Sequence, residues 1–203
     1  MKMKTKLARK PRSAGTRREE ILAVALKLFS EYGMHAVTTR QIASAVGISQ
    51  PSLYAFFPNR QALETEVGTR AFEELISRVT EGLNALKRGS CDIVDLGKIY
   101  IEFGVTHPDA YRLAFMVEKP DLVTTATGSD DPILAAGLKA FSLLREAIGF
   151  VRGVGLSPDE LELLAQSMWA ALHGLVALLL ARPNFPWSER NRLIEFHLNR
   201  VFT

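Results

Sequence analysis

Between Thr38 and Leu63 the sequence compresses three sets of helix start and stop signals into one short stretch, and a helix, a glycine turn and two further helices satisfy them all. Thr38 with Gln41 three residues on forms the S/T-x-x-E/Q box that occupies orphan amides at a helix start. Ile42, Ala43 and Val46 then share one face, and Gly47 supplies the left-handed stop with which many helices end. Ser49 can cap the next helix, where Pro51 is tolerated because first-turn amides have no intrahelical partner. Leu53, Phe56 and Phe57 give that helix an apolar side and leave Gln50, Ser52, Tyr54 and Ala55 toward its free side. Pro58 is expected to end it, and Asn59 to cap a successor. A short helix, a tight turn containing Gly and a second helix opening on small polar residues is the helix-turn-helix layout, whose second helix enters the major groove of DNA.

Donor chemistry and position divide the candidate contacts. Thr38, Thr39, Arg40, Tyr54 and Arg60 are the expected phosphate contacts, because they sit at helix starts or carry donors, and Ser49 at the cap is a further DNA-binding candidate. Gln50, Pro51 and Ser52 face the bases: a glutamine can bond adenine N6 and N7, and a serine hydroxyl is permissive.

These residues resemble the tetracycline-repressor (TetR) family of bacterial regulators. The resemblance runs from Arg17 to about Ser77 and rests on Arg17-Arg18-Glu19-Glu20-Ile21-Leu22, on Leu28-Phe29 followed by Gly33, and on Thr38-Thr39, Ile42-Ala43 and Gly47-Ile48-Ser49. Leu53-Tyr54, Phe56-Phe57, Asn59-Arg60 and Leu63 complete it in fixed register. Family members often have a basic residue at Gln50, a glycine at Pro51 and an aromatic or histidine at Ala55. Neutral, rigid and small residues stand there in this chain, so the groove-facing surface has lost charge and reach.

Charge is distributed unevenly along the 203 residues. The formal net charge is +3, yet residues 1–18 hold eight basic residues and no acid, which leaves 17 basic against 22 acidic in the remainder. The excess cation is a tail property. Residues 1–16 read as a basic, flexible arm that could neutralise phosphates or lie in a minor groove, or else as a solubilising leader. The single cysteine, Cys91, excludes an internal disulfide and is read as a structural or incidental thiol. No apolar stretch follows the N-terminal charges as a secretory signal would require, which points to a cytoplasmic protein. The longest apolar run, Ala165 to Ala181, is at the short limit for a bilayer span and includes Gln166, Ser167 and His173, so a covered helix in a bundle explains it better.

The fold expected is all-α with about nine helices. A first amphipathic helix, residues 17–32, would open on a Thr16/Glu19 capping box and close at Gly33. With the next two it makes the DNA-binding unit, residues 17–77. A fourth, from about Arg60 to Leu86, carries Leu63, Val67, Ala71, Leu75 and Val79 on one face and links that unit to a helical effector-binding and dimerisation part, residues 78–203. There Asp92 to Thr106 and Pro108 to Val117 read as helices, Glu118 to Asp131 as a mobile loop, and Asp131-Pro132 as the start of a helix to about Arg152, with Gly137, Phe141, Leu144, Ile148 and Val151 in helical spacing. Ser157-Pro158-Asp159-Glu160 caps a helix to about Ala181, and the last runs from about Trp187 to Phe202.

The helix from Pro158 is apolar on nearly every side after Met168 and needs cover on more than one face. In the family this chain resembles, the last two helices of each protomer form a four-helix dimer interface, which implies a homodimer through residues 157–202. Tyr111 to Met116 and Trp169/His173-Gly174 look like the C-terminal part of a subgroup with a Trp-His-Gly signature. Trp169 and His173 share a helix face. They read either as a core tryptophan with a satisfied histidine or as part of an effector pocket, with His173 the polar contact and Phe103, Met116, Phe141, Met168 and Trp169 the wall. No catalytic motif, metal-ligand spacing or cofactor cradle occurs, and the four histidines are dispersed.

Three readings follow: a one-component regulator, most simply a repressor that leaves double-stranded operator DNA when an unidentified small, largely apolar ligand binds; a ligand-independent DNA-binding or architectural protein; and a helical carrier or enzyme with a vestigial DNA-binding part.

Overall fold

The computed structural model describes residues 14–116, 132–153 and 155–202. Among them the chain forms nine helices and no strand: α1 (Ala14–Tyr32), α2 (Thr39–Val46), α3 (Gln50–Tyr54), α4 (Arg60–Lys87), α5 (Ile93–Thr106), α6 (Pro108–Phe115), α7 (Pro132–Arg152), α8 (Pro158–Ala181) and α9 (Arg190–Val201). Most of residues 1–16, and the segment read as a mobile loop, lie outside the described residues.

Local chemistry sets most of the boundaries. Thr38 and Ser157 each accept from the backbone of the third residue on, and Gln41 and Glu160 return the bond. Asn59 caps α4 through Ala62 N, and Gly47 ends α2 at φ 77°. Three boundaries differ from the sequence reading. Helix α1 begins at Ala14, so Thr16 lies within its first turn and not at its cap. Helix α3 stops at Tyr54, because the chain turns through Ala55 to Asn59 to bury Phe57; Pro58 follows an end already made. Helix α9 starts at Arg190, where the Glu189 carboxylate caps the amides of Asn191 and Arg192.

Two hydrophobic cores result. Ile21, Phe29, Ile42, Leu53, Phe57 and Leu63 fill the first, and Leu113 of α6 joins them. Tyr100, Phe103, Ile148, Met168, Leu172, Val176 and Leu198 build the second. Helix α4 belongs to both, through Leu63 and Val67 in one and Leu75 and Val79 in the other. Helix α7 lies along α4, with Ile133 against Gly68 and Phe72 against Gly137; Val151, at its far end, is exposed. Helix α8 is long and apolar enough by composition to cross a membrane, but it packs against α5, α7 and α9. Leu163 and Leu178 remain exposed on it, as does Phe196 on α9.

Helix α5 meets its neighbours closely because of two glycines. A Cβ on Gly97 would overlap Leu198 and Phe202, and one on Gly104 would overlap Val176 Cγ1 and press on Tyr111. Val176 is β-branched, helical and fully buried, so it has no rotamer into which to withdraw. Gly104→Ala is therefore expected to destabilise the protein by about 1–3 kcal/mol despite alanine's better helix propensity; urea unfolding should show a lower midpoint at unchanged slope.

Candidate nucleic-acid interface and buried cavity

The start of α3 is organised around one buried hydroxyl. Thr39 is 7% exposed. Its Oγ1 accepts from Gln50 Nε2 at 3.0 Å and lies 3.2 Å from Tyr54 Oη, so the first and last residues of α3 are both tied to α2. The bonds from Thr39 and then Gln50 hold the Tyr54 phenol below its ordinary pKa. Ser49 Oγ caps Ser52 N at 3.2 Å and lies 2.7 Å from Ser52 Oγ. Thr38, Arg40, Ser49, Pro51, Ser52 and Tyr54 are all exposed on this side, with Gln50 half-buried. The expected contacts thus come together on one surface, with Arg60 set apart.

Arg60 is occupied internally. Its guanidinium donates to Val37 O at 2.7 Å, to Met34 O and to Glu64 Oε1 at 2.6 Å, fastening the turn before α2 to the start of α4. These bonds give Arg60 a positioning role at the turn before α2. Two residues counted with the basic tail are also engaged: Arg17 pairs with Glu20 at 2.7 Å, and Arg18 pairs with Glu66 while its guanidinium sits 4.8 Å from the Phe57 ring centre. Six of the basic residues stand in residues 1–13, and Arg40 is exposed beside α3.

The second core borders a cavity of about 780 Å³ lined from α4, α5, α6, α7 and α8 and open to solvent on the side of Leu138 and Leu163, both exposed. Phe72, Leu75 and Val79 come from α4; Leu96, Gly97 and Tyr100 from α5; Phe115 from α6. Leu134, Gly137, Leu138, Ala140, Phe141 and Leu144 line the α7 side, and Glu162, Leu163, Gln166, Ser167, Trp169, Ala170 and Leu172 the α8 side. Of the wall read from the sequence, Phe141 and Trp169 reach it. Phe103 does not: it is fully buried behind the lining and stacks on His107 at 5.4 Å. Met168, one residue before Trp169, turns into the core, and Met116 lies past the end of α6, partly exposed and off the lining. Leu75 and Val79 were visible in the sequence only as part of a core stripe and Phe72 was outside it, since a helical repeat does not reveal which buried residues border a void.

His173 is also outside the lining, but a chain of hydrogen bonds joins it to the wall. Trp169 Nε1–H donates to Tyr100 Oη at 3.2 Å, Tyr100 Oη lies 3.0 Å from Tyr111 Oη, and Tyr111 Oη lies 2.7 Å from His173 Nδ1. Burial pushes Tyr100 up to about 12 and Tyr111 further in the same direction, so both remain neutral phenols. Burial lowers the pKa of His173, which lets Nδ1 accept from Tyr111.

Comparison with known proteins agrees with both halves of this arrangement. The sequence profile of the bacterial regulatory proteins of the tetR family matches residues 21–67, and that of the tetracyclin repressor-like C-terminal domain matches residues 93–201. The chain belongs to the TetR family. As a TetR-family DNA-binding regulator it has relatives named nucleoid occlusion factor SlmA. The one from Pasteurella multocida is 26% identical over 146 residues, 68% of this chain and 73% of that protein. The one from Actinobacillus pleuropneumoniae serotype 5b is 39% identical over 111 residues, 50% of this chain and 51% of that protein. The chain thus spans only about half the length of some curated relatives it matches.

Solved TetR-family structures share the fold. A regulator from Streptomyces coelicolor superposes with a TM-score of 0.64 at 22% identity, covering 94% of this chain and 80% of that one. The fatty acid degradation regulator FadR from Bacillus halodurans gives 0.68 at 15% identity, covering 94% and 97%. Identities this low carry the fold alone.

In this regulator the burial of His173 makes stability depend on pH with a definite sign. A histidine whose pKa is lower folded than unfolded takes up a proton on unfolding, so stability is full above the ordinary histidine value of about 6.5 and falls as pH drops below it. The thermal midpoint is expected to decrease between about pH 7 and pH 5.5, and His173→Asn, whose Oδ1 can take the Nδ1 position, should remove the His173 share of that decrease.

Proposed function

We propose that the chain is a homodimeric repressor that releases operator DNA when a small, largely apolar ligand fills the cavity. One observation carries this reading: α4 starts beside the DNA-facing helices and, further along, forms a wall of the cavity. Leu63 and Val67 are buried with α1, α2 and α3, whereas Phe72, Leu75 and Val79 border the void. Helix α6 offers a second path. Leu113 is fully buried in the first core, Phe115 lines the cavity, and Ser30 Oγ of α1 donates to Asp109 Oδ1 at 2.9 Å. A ligand that prefers one setting of α4 and α6 shifts the spacing of two recognition helices by that difference in affinity and no more.

The dimer follows from unpaired apolar surface. Leu178 is 53% exposed on α8 and Phe196 is 62% exposed on α9, within residues 157–202. A second copy covering them would hold two α3 helices about 34–36 Å apart, one turn of DNA, on a pseudo-palindromic site. Light scattering at micromolar concentration should give a dimer mass. The double variant Leu178→Asp/Phe196→Asp should give a monomer whose operator affinity is lower by at least tenfold, and a wild-type monomer would refute the interface.

Contacts to DNA divide by type. Gln50, Pro51 and Ser52 read bases; Thr38, Arg40, Ser49 and Tyr54 meet phosphates, with buried Thr39 holding Gln50 and Tyr54 in place; and residues 1–13 add neutralising charge. In binding to a sequence selected from random duplexes, Gln50→Ala should relax sequence preference with little effect on salt dependence. Deleting residues 1–13 should keep the preference and flatten the log–log salt slope by about 0.9 for each phosphate the arm neutralises.

A second reading is DNA binding without a ligand: the curated relatives are named nucleoid occlusion factors, and that name includes no effector. A mobility-shift screen separates the two: release of DNA by an apolar compound supports the first, and retention across a broad apolar set supports the second.

A further inference from the structure

Among the described residues the cavity wall contains no lysine, arginine or histidine, and its one charged side chain is the carboxylate of Glu162. That carboxylate already has partners, Arg145 at 3.2 Å and Gln166 Nε2 at 3.0 Å, both toward the solvent side of α7 and α8. Of the other polar lining residues, Ser167 is on the exposed side of α8, whereas Tyr100 and Trp169 join through Tyr100 Oη and Trp169 Nε1 the chain that ends at His173.

The order of hydrogens in that chain decides what it offers a ligand. Trp169 Nε1 can only donate, and it donates to Tyr100. With His173 accepting at Nδ1, Tyr111 donates to His173 and Tyr100 donates to Tyr111. Every hydrogen in the chain then runs away from the cavity, and what Tyr100 Oη keeps is acceptor capacity. The reverse order would leave the Tyr100 hydrogen unpartnered against an apolar lining, which is the costlier arrangement. Among the described residues, a carboxylate or phosphate in the cavity would meet no cation on the wall, would find the Ser167 hydroxyl as a donor only on the exposed side of α8, and would lie near the Glu162 carboxylate. An isolated buried anion is among the most expensive groups a protein can hold.

We propose that the effector is an uncharged, mainly apolar molecule with a hydrogen-bond donor such as a hydroxyl, seated with that group on Tyr100 Oη, and that the cavity discriminates against anionic headgroups. This rests on the cavity being the effector site.

The test measures displacement of an apolar fluorescent probe from the full-length protein near pH 7.5 by three compounds of equal chain length: decan-1-ol, decanoate and decyltrimethylammonium. Decan-1-ol is expected to bind at least tenfold more tightly than either ion. Glu162→Gln should narrow the gap to decanoate, and Tyr100→Phe should lower affinity for the alcohol severalfold while leaving that for the ions unchanged. Because Tyr100→Phe also strips a partner from Trp169, Glu162→Gln keeps the charge argument testable if that variant does not fold. Decanoate or the cation binding within threefold of the alcohol, or more tightly, overturns the proposal while leaving the cavity as a ligand site. Failure of all three compounds and of the probe itself to bind overturns the ligand reading as well.

Discussion

Shared burial along α4 is the constraint from which the rest of the molecule follows. One continuous helix places Leu63 and Val67 in the core of the DNA-binding unit and Leu75 and Val79 in the core of the other unit. Each large aliphatic side chain buried this way contributes about 1.5–3 kcal/mol relative to exposure, so neither end of α4 can detach cheaply. A cavity bordered by the middle of this helix is therefore joined to the DNA-binding unit by packed side chains. Helix α6 reinforces the link, with Leu113 in one core and Tyr111 and Phe115 in the other.

At the DNA-facing end, several side chains that look like contacts hold the surface together. Thr39 binds Gln50 and Tyr54, and Arg60 fastens Met34 and Val37 to the head of α4. The five-residue α3 is too short for intrahelical bonds to stabilise it alone, and these cross-links with its Ser49 cap offset that weakness.

Polar chemistry in the second half is similarly inward-looking. Trp169, Tyr100, Tyr111 and His173 satisfy one another in sequence, so a group that resembled a ligand contact, His173, instead anchors the far end of a chain whose near end meets the void. The cavity takes its character from what that chain leaves over.

By itself, the sequence determined the helical class, the caps at Thr38, Ser49, Asn59 and Ser157, the stop at Gly47 and the face of α4. All of these depend on interactions within about one turn of chain, which residue type and spacing encode directly. Where interactions join distant segments, only the tertiary structure decided: Phe57 turning inward to end α3 early, Arg60 reaching back to Met34 and Val37, Phe103 and Met168 falling behind the cavity wall while Phe72 and Tyr100 border it. Helical periodicity distinguishes buried from exposed, but a core residue and a cavity-lining residue are both buried and apolar. Which of them meets a neighbour and which meets empty space is set by the crossing of α4, α5, α7 and α8, and that crossing has no local signature.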